Sequence, residues 1–147
     1  MIYMLKRIKI KNLACFNDSD DNQIEFKPLT VIVGPNNSGK STVINAINLV
    51  KQVALQGLMW SSMYFPYQSF LDAVYMHDQN RTIQVNMGLV TPEGGDINIS
   101  INPYAYLGGY EINTTISGDI KNHLLRKLLY IYPQRYRIPP QTGVSRN

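Results

Sequence analysis

Cysteine is almost absent from this chain: Cys15 stands alone, so no internal disulfide can form. That fits a reducing compartment, and the expected localisation is cytoplasmic. The expected role for Cys15 is that of a small packing residue. No run of roughly eighteen apolar residues occurs, so no membrane-spanning helix is expected. The N-terminus, MIYMLKRIKIKNL, interleaves lysine with apolar residues and has no continuous apolar stretch or small-residue cleavage site, so a secretion signal is not expected. Repeats and low-complexity segments are also missing. Acidic residues are scarce near the C-terminus: from Gly118 to Asn147, Asp119 faces Lys121, Arg126, Lys127, Arg135, Arg137 and Arg146. Such a bias can attract nucleic acid, but no aromatic-interleaved binding motif accompanies it, and a solvated or partner-facing surface is the favoured reading.

What is present suits one ordinary globular domain: 147 residues, 44% hydrophobic and 16% charged, with net charge +4. Lys6 to Leu13 alternates apolar and basic residues, the period of a half-buried strand. NDSDDN, Asn17 to Asn22, reads as a polar turn, and Gln23 to Phe26 as a short strand. Leu29 to Val33 (LTVIV) is a continuous apolar run rich in β-branched residues, the pattern of a strand buried on both faces. From Lys40 to about Gln56, apolar residues at Val43, Ile44, Ile47, Val50 and Val53 or Ala54 predict a helix that stops near Gly57.

Leu58 to Tyr67 reads as an irregular connection, and Ser69 as the cap of a short helix to about Tyr75. Thr82 to Val90 and Asp96 to Ile101 alternate around TPEGG and predict a hairpin. Tyr110 to Ile116 is a third strand, expected antiparallel to the second. A helix capped by Ser117 or Asp119 through about Lys127, an apolar strand at Leu128 to Tyr132 (LLYIY) and a proline-rich tail complete the expectation.

Between the apolar run and the long helix lies Gly34-Pro35-Asn36-Asn37-Ser38-Gly39-Lys40-Ser41, which satisfies G-x-x-x-x-G-K-[ST]. The glycines allow backbone N–H groups to converge on phosphates, and the helix points its positive end at them. Lys40 is expected to reach the β- and γ-phosphates and serves as the candidate catalytic residue. The Ser41 hydroxyl is the candidate ligand for Mg²⁺, and Thr42 is placed for the α-phosphate. The cofactors expected are therefore ATP and Mg²⁺.

Hydrolysis needs more than a phosphate loop: an acid at the end of an apolar strand and a group that orients water. No apolar strand after the helix ends in Asp or Glu; LLYIY runs into Pro133-Gln134, and Asp72 follows too short a run. LGGYE, Leu107 to Glu111, resembles the LSGGQ signature of ABC-type ATPases, but β-alternation follows it, so a hairpin turn is the better reading. An N-K-x-D motif for a GTPase is absent, as are the lid and acceptor site of a small kinase.

The opening, KRIKIKNLACFNDSDDNQIEFKPLTVIVGPNNSGKSTVINAINLVKQ, resembles the N-terminus of AAA-annotated, ABC-class ATPases related to RecF, SMC and OLD nucleases. YQSFLDAVYMHDQNRTIQVNMGL and YIYPQRYRIPPQ resemble later segments of the same family, with Leu13, Tyr132 and Gln134 as departures from its pattern. The resemblance implies an α/β fold: a P-loop NTPase, the N-terminal lobe of an ABC-ATPase head, with an antiparallel β subdomain and a partial parallel core sheet. Residues 1–56 would hold the strand pair, phosphate loop and helix, 57–116 the antiparallel subdomain, and 117–147 the helix, strand and tail.

The resemblance further implies that the signature helix and acidic strand belong to a C-terminal lobe not in this sequence, supplied by the rest of the protein or by a partner subunit. The complete protein would be a homodimer with nucleotides between two heads, and nucleic acid stays open as a partner. By the same resemblance, Gly34, Pro35, Asn36, Asn37, Ser38, Gly39, Lys40, Ser41 and Thr42 bind the nucleotide, with Asn37 near the γ-phosphate. Gln134 would take the place of a Mg²⁺-binding glutamine or be an exposed turn residue. Asn12 to Phe16 lie where such proteins line the base pocket, although core packing is the leading expectation for Phe16; His77 is expected to cap a helix end or sit exposed. The function expected is Mg·ATP binding as half of an ATPase. The alternative is a non-catalytic, nucleotide-responsive regulatory or docking module.

Overall fold

The structure, a computed structural model, describes residues 4–56, 60–62, 65–90, 94–105 and 109–117. Alternating side chains build its centre. Strand β1 (Met4–Lys11) sends Ile8 and Ile10 inward and Arg7, Lys9 and Lys11 to the opposite face, as period-two patterning requires. It pairs antiparallel with β2 (Gln23–Glu25) on one side, Ile8 facing Ile24. On its other side lies β3 (Gln84–Val90), with Ile10 opposite Val85 and Ile8 opposite Met87. Strands β4 (Asp96–Pro103) and β5 (Tyr110–Ser117) follow as successive antiparallel neighbours. The result is one five-stranded sheet ordered β2-β1-β3-β4-β5. The two hairpins expected from the sequence are both present. Tyr110 opens β5 opposite Pro103, so the LGGYE segment leads into a strand rather than opening a helix.

The pairing of β1 with β3 joins residues about eighty positions apart, across the irregular connection. Its register slips between Leu5 and Arg7, which leaves Lys6 as the extra residue of a bulge. Arg7 then lies across Gly88, where an added Cβ would meet its side chain at 2.9 Å, and Arg7 Nη2 donates to Asn98 Oδ1.

Helix α1 (Lys40–Gln56) covers the apolar face. Val43, Ala46, Leu49, Val50 and Val53 are buried with Ile8, Ile10, Val85 and Ile101, the i, i+3, i+4 stripe of an amphipathic helix. Ile44 falls off that stripe and is 53% exposed. The irregular connection is tied down by aromatic contacts: the Trp60 ring lies 5.5 Å from Phe65 and 6.4 Å, edge-on, from Phe70, and Phe65 is fully buried. Helix α2 (Phe70–Ala73) is capped by Ser69, whose Oγ accepts from Asp72 N, and stops two residues short of the expected Tyr75. A 3₁₀ turn, Tyr75–His77, follows.

The expectation for Leu29 to Val33 is overturned. These residues form no strand, and Leu29, Val31 and Val33 are 83%, 74% and 82% exposed; Ile32 alone of the four apolar residues packs against the core. A strand buried on both faces needs partners at its edges and layers above and below it. Among the described residues no strand pairs with this segment, and no parallel pair occurs at all. The expected helix after Ser117, the strand Leu128 to Tyr132, the stop at Gly57 and Gln134 lie outside the described residues. Among those described, no helix is long and apolar enough to cross a membrane.

Candidate functional site

The glycine-rich stretch leaves the exposed run and turns directly into α1. Gly39 has φ of +98°, and Asn37, at φ 65°, also adopts the left-handed region that asparagine tolerates better than most residues. Gly34 is confined differently: a Cβ there would sit 2.7 Å from Ser38 Oγ. The loop closes on itself where Ser38 N donates to the Pro35 carbonyl (3.3 Å), and Val43 N to Gly39 O (3.1 Å) starts the helical ladder.

Above this turn is a cavity of about 600 Å³ lined by Asn36, Asn37, Ser38, Gly39, Lys40, Ser41 and Thr42 together with Ala14 and Cys15. The first-turn N–H groups of a helix have no intrahelical acceptor and carry its positive end charge, which makes this mouth complementary to an anion. No acid lies in the first turn of α1 to oppose one. Lys40 Nζ folds back across the loop, donating to the Gly34 carbonyl and, at 2.8 Å, to that of Pro35. Exchanging those two neutral carbonyls for phosphate oxygens would give the ammonium anionic acceptors, adding ion pairing to the hydrogen bonds.

Ser41 is exposed next to Lys40, with its hydroxyl available to a cation, while Thr42 is 7% exposed at the inner edge of the cavity. The structure thus brings residues 36 to 42 around one cavity, with Gly34 and Pro35 behind it as acceptors for Lys40. Among the described residues no group of three His, Cys, Asp or Glu is arranged to hold a metal. The donor set here is hydroxyl, ammonium and backbone N–H, which fits a nucleotide's phosphates with a phosphate-bound Mg²⁺ better than a metal held by protein alone.

Cys15 corrects a sequence expectation. It is not a packing residue but exposed, on the cavity wall. The turn after β1 carries it to the start of α1, where Cys15 Sγ and the Phe16 ring stand 3.0 and 3.1 Å from the position of a Cβ on Gly39. Phe16 is partly buried against the core, as its packing role predicted. His77 is exposed with Nδ1 2.6 Å from the Leu71 carbonyl at the end of α2. Asp72 accepts from Gln68 N (3.0 Å) and belongs to α2 rather than to the site. Asp20 is gripped by Lys11 and Lys9 at 2.6 and 2.8 Å, and their hydrogen bonds pull its carboxyl down to about 2.

Two comparisons bear on this geometry. A family model described as an AAA ATPase domain matches residues 4–132. An OLD nuclease of Thermus scotoductus is 36% identical over 100 residues, 66% of this chain but 17% of that protein, so the match spans a small part of the relative's length. The sequence motif, the loop and helix that display it, and a match over most of the chain agree: this protein belongs to the AAA ATPase domain family, as the ABC-class, OLD-like character of its opening motifs implies.

Proposed function

We propose that the chain binds Mg·ATP through Gly34 to Thr42, with Lys40 on the β- and γ-phosphates and Ser41 on Mg²⁺, as the N-terminal part of an ATPase. The observation that carries this reading is the cavity at the start of α1, lined by Lys40, exposed hydroxyls and the first turn of a helix, whose leading N–H groups lack intrahelical acceptors. Hydrolysis in this reading depends on an acidic strand and a signature helix in a C-terminal lobe. A parallel core sheet would form when strands join the exposed Leu29 to Val33 run, whose unburied apolar side chains support the idea. Dimerisation of the complete protein, a cytoplasmic location and a role for Gln134 at the metal belong to the same proposal. The similar protein is a nuclease by name, which supports nucleic acid as a partner of the complete protein.

Isothermal titration with Mg·ATP, run beside Lys40→Ala and with phosphate release followed in the same samples, tests this. Loss of the lysine's charge-assisted bonds should weaken binding by roughly ten- to a hundred-fold. Binding that needs Lys40, without turnover, supports a nucleotide half-site. Turnover that needs Lys40 would place a catalytic acid within this chain and overturn the dependence on another lobe. Equal binding by both proteins would remove the loop from the site.

A further inference from the structure

The wall of the cavity opposite Lys40 is an improbable piece of backbone. After β1 the chain passes through Asn12 at φ 57° and Ala14 at φ 49°, and the left-handed region crowds an alanine Cβ against the following carbonyl. Something outside the turn must hold it. Asn12 is 8% exposed and uses all its polar groups. Its N–H donates to Asn17 O (3.1 Å) and its carbonyl accepts from Tyr75 N (2.9 Å). Its Nδ2 donates to Thr82 O (3.1 Å), while its Oδ1 accepts from Arg81 Nη1 (3.2 Å). Ala14 N donates to Ala73 O at 2.7 Å, and Leu13 bridges to Val74.

Arg81 is fixed in turn. Its Nε donates to Asp78 Oδ2 (3.2 Å), its guanidinium lies 5.5 Å from the Tyr75 ring centroid, and Asp18 approaches to 4.0 Å. Neither Arg81 nor Asn12 lines the cavity. Their bonds end on the segment whose next residues, Ala14 and Cys15, do line it, and Cys15 Sγ stands 3.0 Å from where a Cβ on Gly39 would be.

We infer that Asn12 and Arg81 are positioning residues that latch the 73–82 segment to the Ala14–Cys15 wall and so set the width of the phosphate-loop cavity. The consequence for nucleotide affinity rests on the function proposed above. The latch itself does not.

Cys15, the chain's single thiol, reports the wall directly. Its alkylation by iodoacetamide would be timed without nucleotide in the unaltered 147-residue chain, in Arg81→Ala, in Asn12→Gly and in the double variant. Glycine keeps the positive φ of position 12 easy while deleting both side-chain bonds. Each single variant should change the alkylation rate by at least about two-fold, because releasing the wall alters the surroundings of this already exposed thiol. The double should fall short of the product of the two singles, because both changes break the Arg81–Asn12 bond.

Ile97→Ala, a cavity in the sheet at β4, controls for weakened folding and should leave the rate unaltered. Unchanged rates in both single variants, multiplying effects in the double, or an equal effect of Ile97→Ala would each overturn the latch. Mg·ATP titrations of the same proteins separate the two ideas: if the unaltered chain binds no nucleotide, the proposed function fails while the alkylation rates still decide the latch. If it does bind, the two single variants should lose affinity by a similar factor.

Discussion

Gly39 shows how much one backbone angle can carry. Its φ of +98° is open to glycine and strained for any other residue, and a Cβ there would also press on Cys15 Sγ and the Phe16 ring at 3.0 to 3.2 Å. Gly39→Ala should therefore lower unfolding stability by about 1–3 kcal/mol in urea titration, and weaken nucleotide binding in the same protein. A neutral substitution would mean that the turn is not held as described. Asp20 makes a different kind of prediction. Hydrogen bonds from Lys11 and then Lys9 lower its pKa from 3.8 to about 2, so its ionised form is favoured in the folded chain. The small stabilisation from this exposed group is in full force above pH 3.8 and is lost as the pH falls towards 2. Carboxyl NMR should find its midpoint near 2, moving back towards 3.8 in Lys11→Ala. A midpoint of 3.8 in the unaltered chain would show that the lysines do not grip it.

Among the elements, those built on strong periodicity were legible from the sequence. Helix α1 runs from Lys40 to Gln56 as its spacing required, because an amphipathic stripe has one way to bury itself against a sheet. What the spacing left open was the centre of the stripe: Ala46 and Leu49 are in the core and Ile44 is outside it. Leu49→Ala should cost about 2–5 kcal/mol by thermal or urea unfolding, whereas Ile44→Ala should cost well under that. Equal costs would place the helix in a different rotation. The β1–β3 pairing had no local sign, since its register depends on which distant apolar faces share a core and on a bulge at Lys6. The cap at Ser69 was readable because capping is a local bond between a side chain and the next turn.

For the molecule as a whole, the exposed Leu29, Val31 and Val33 are the main departure from a closed fold. Burying one such side chain is worth about 1.5–3 kcal/mol, so together they favour any surface that covers them. Sedimentation velocity over a concentration series should show the chain self-associating, and a Leu29→Ser, Val31→Ser, Val33→Ser variant should sediment as a monomer. A monomeric unaltered chain would show that this run is not a contact surface.

The local chemistry was settled before any folding: a glycine-rich loop, a lysine and hydroxyls at the head of an amphipathic helix, and strands whose period was plain. These depend on neighbours in the chain, and the structure displays residues 36 to 42 around one cavity accordingly. The far wall of that cavity was another matter. Cys15 belongs to it because Asn12, held by an arginine 69 positions away, forces the backbone through the left-handed region. An apolar run such as LTVIV states that burial is wanted, not what will provide it; neighbours in space supply that, and their positions follow from the whole set of long-range pairings.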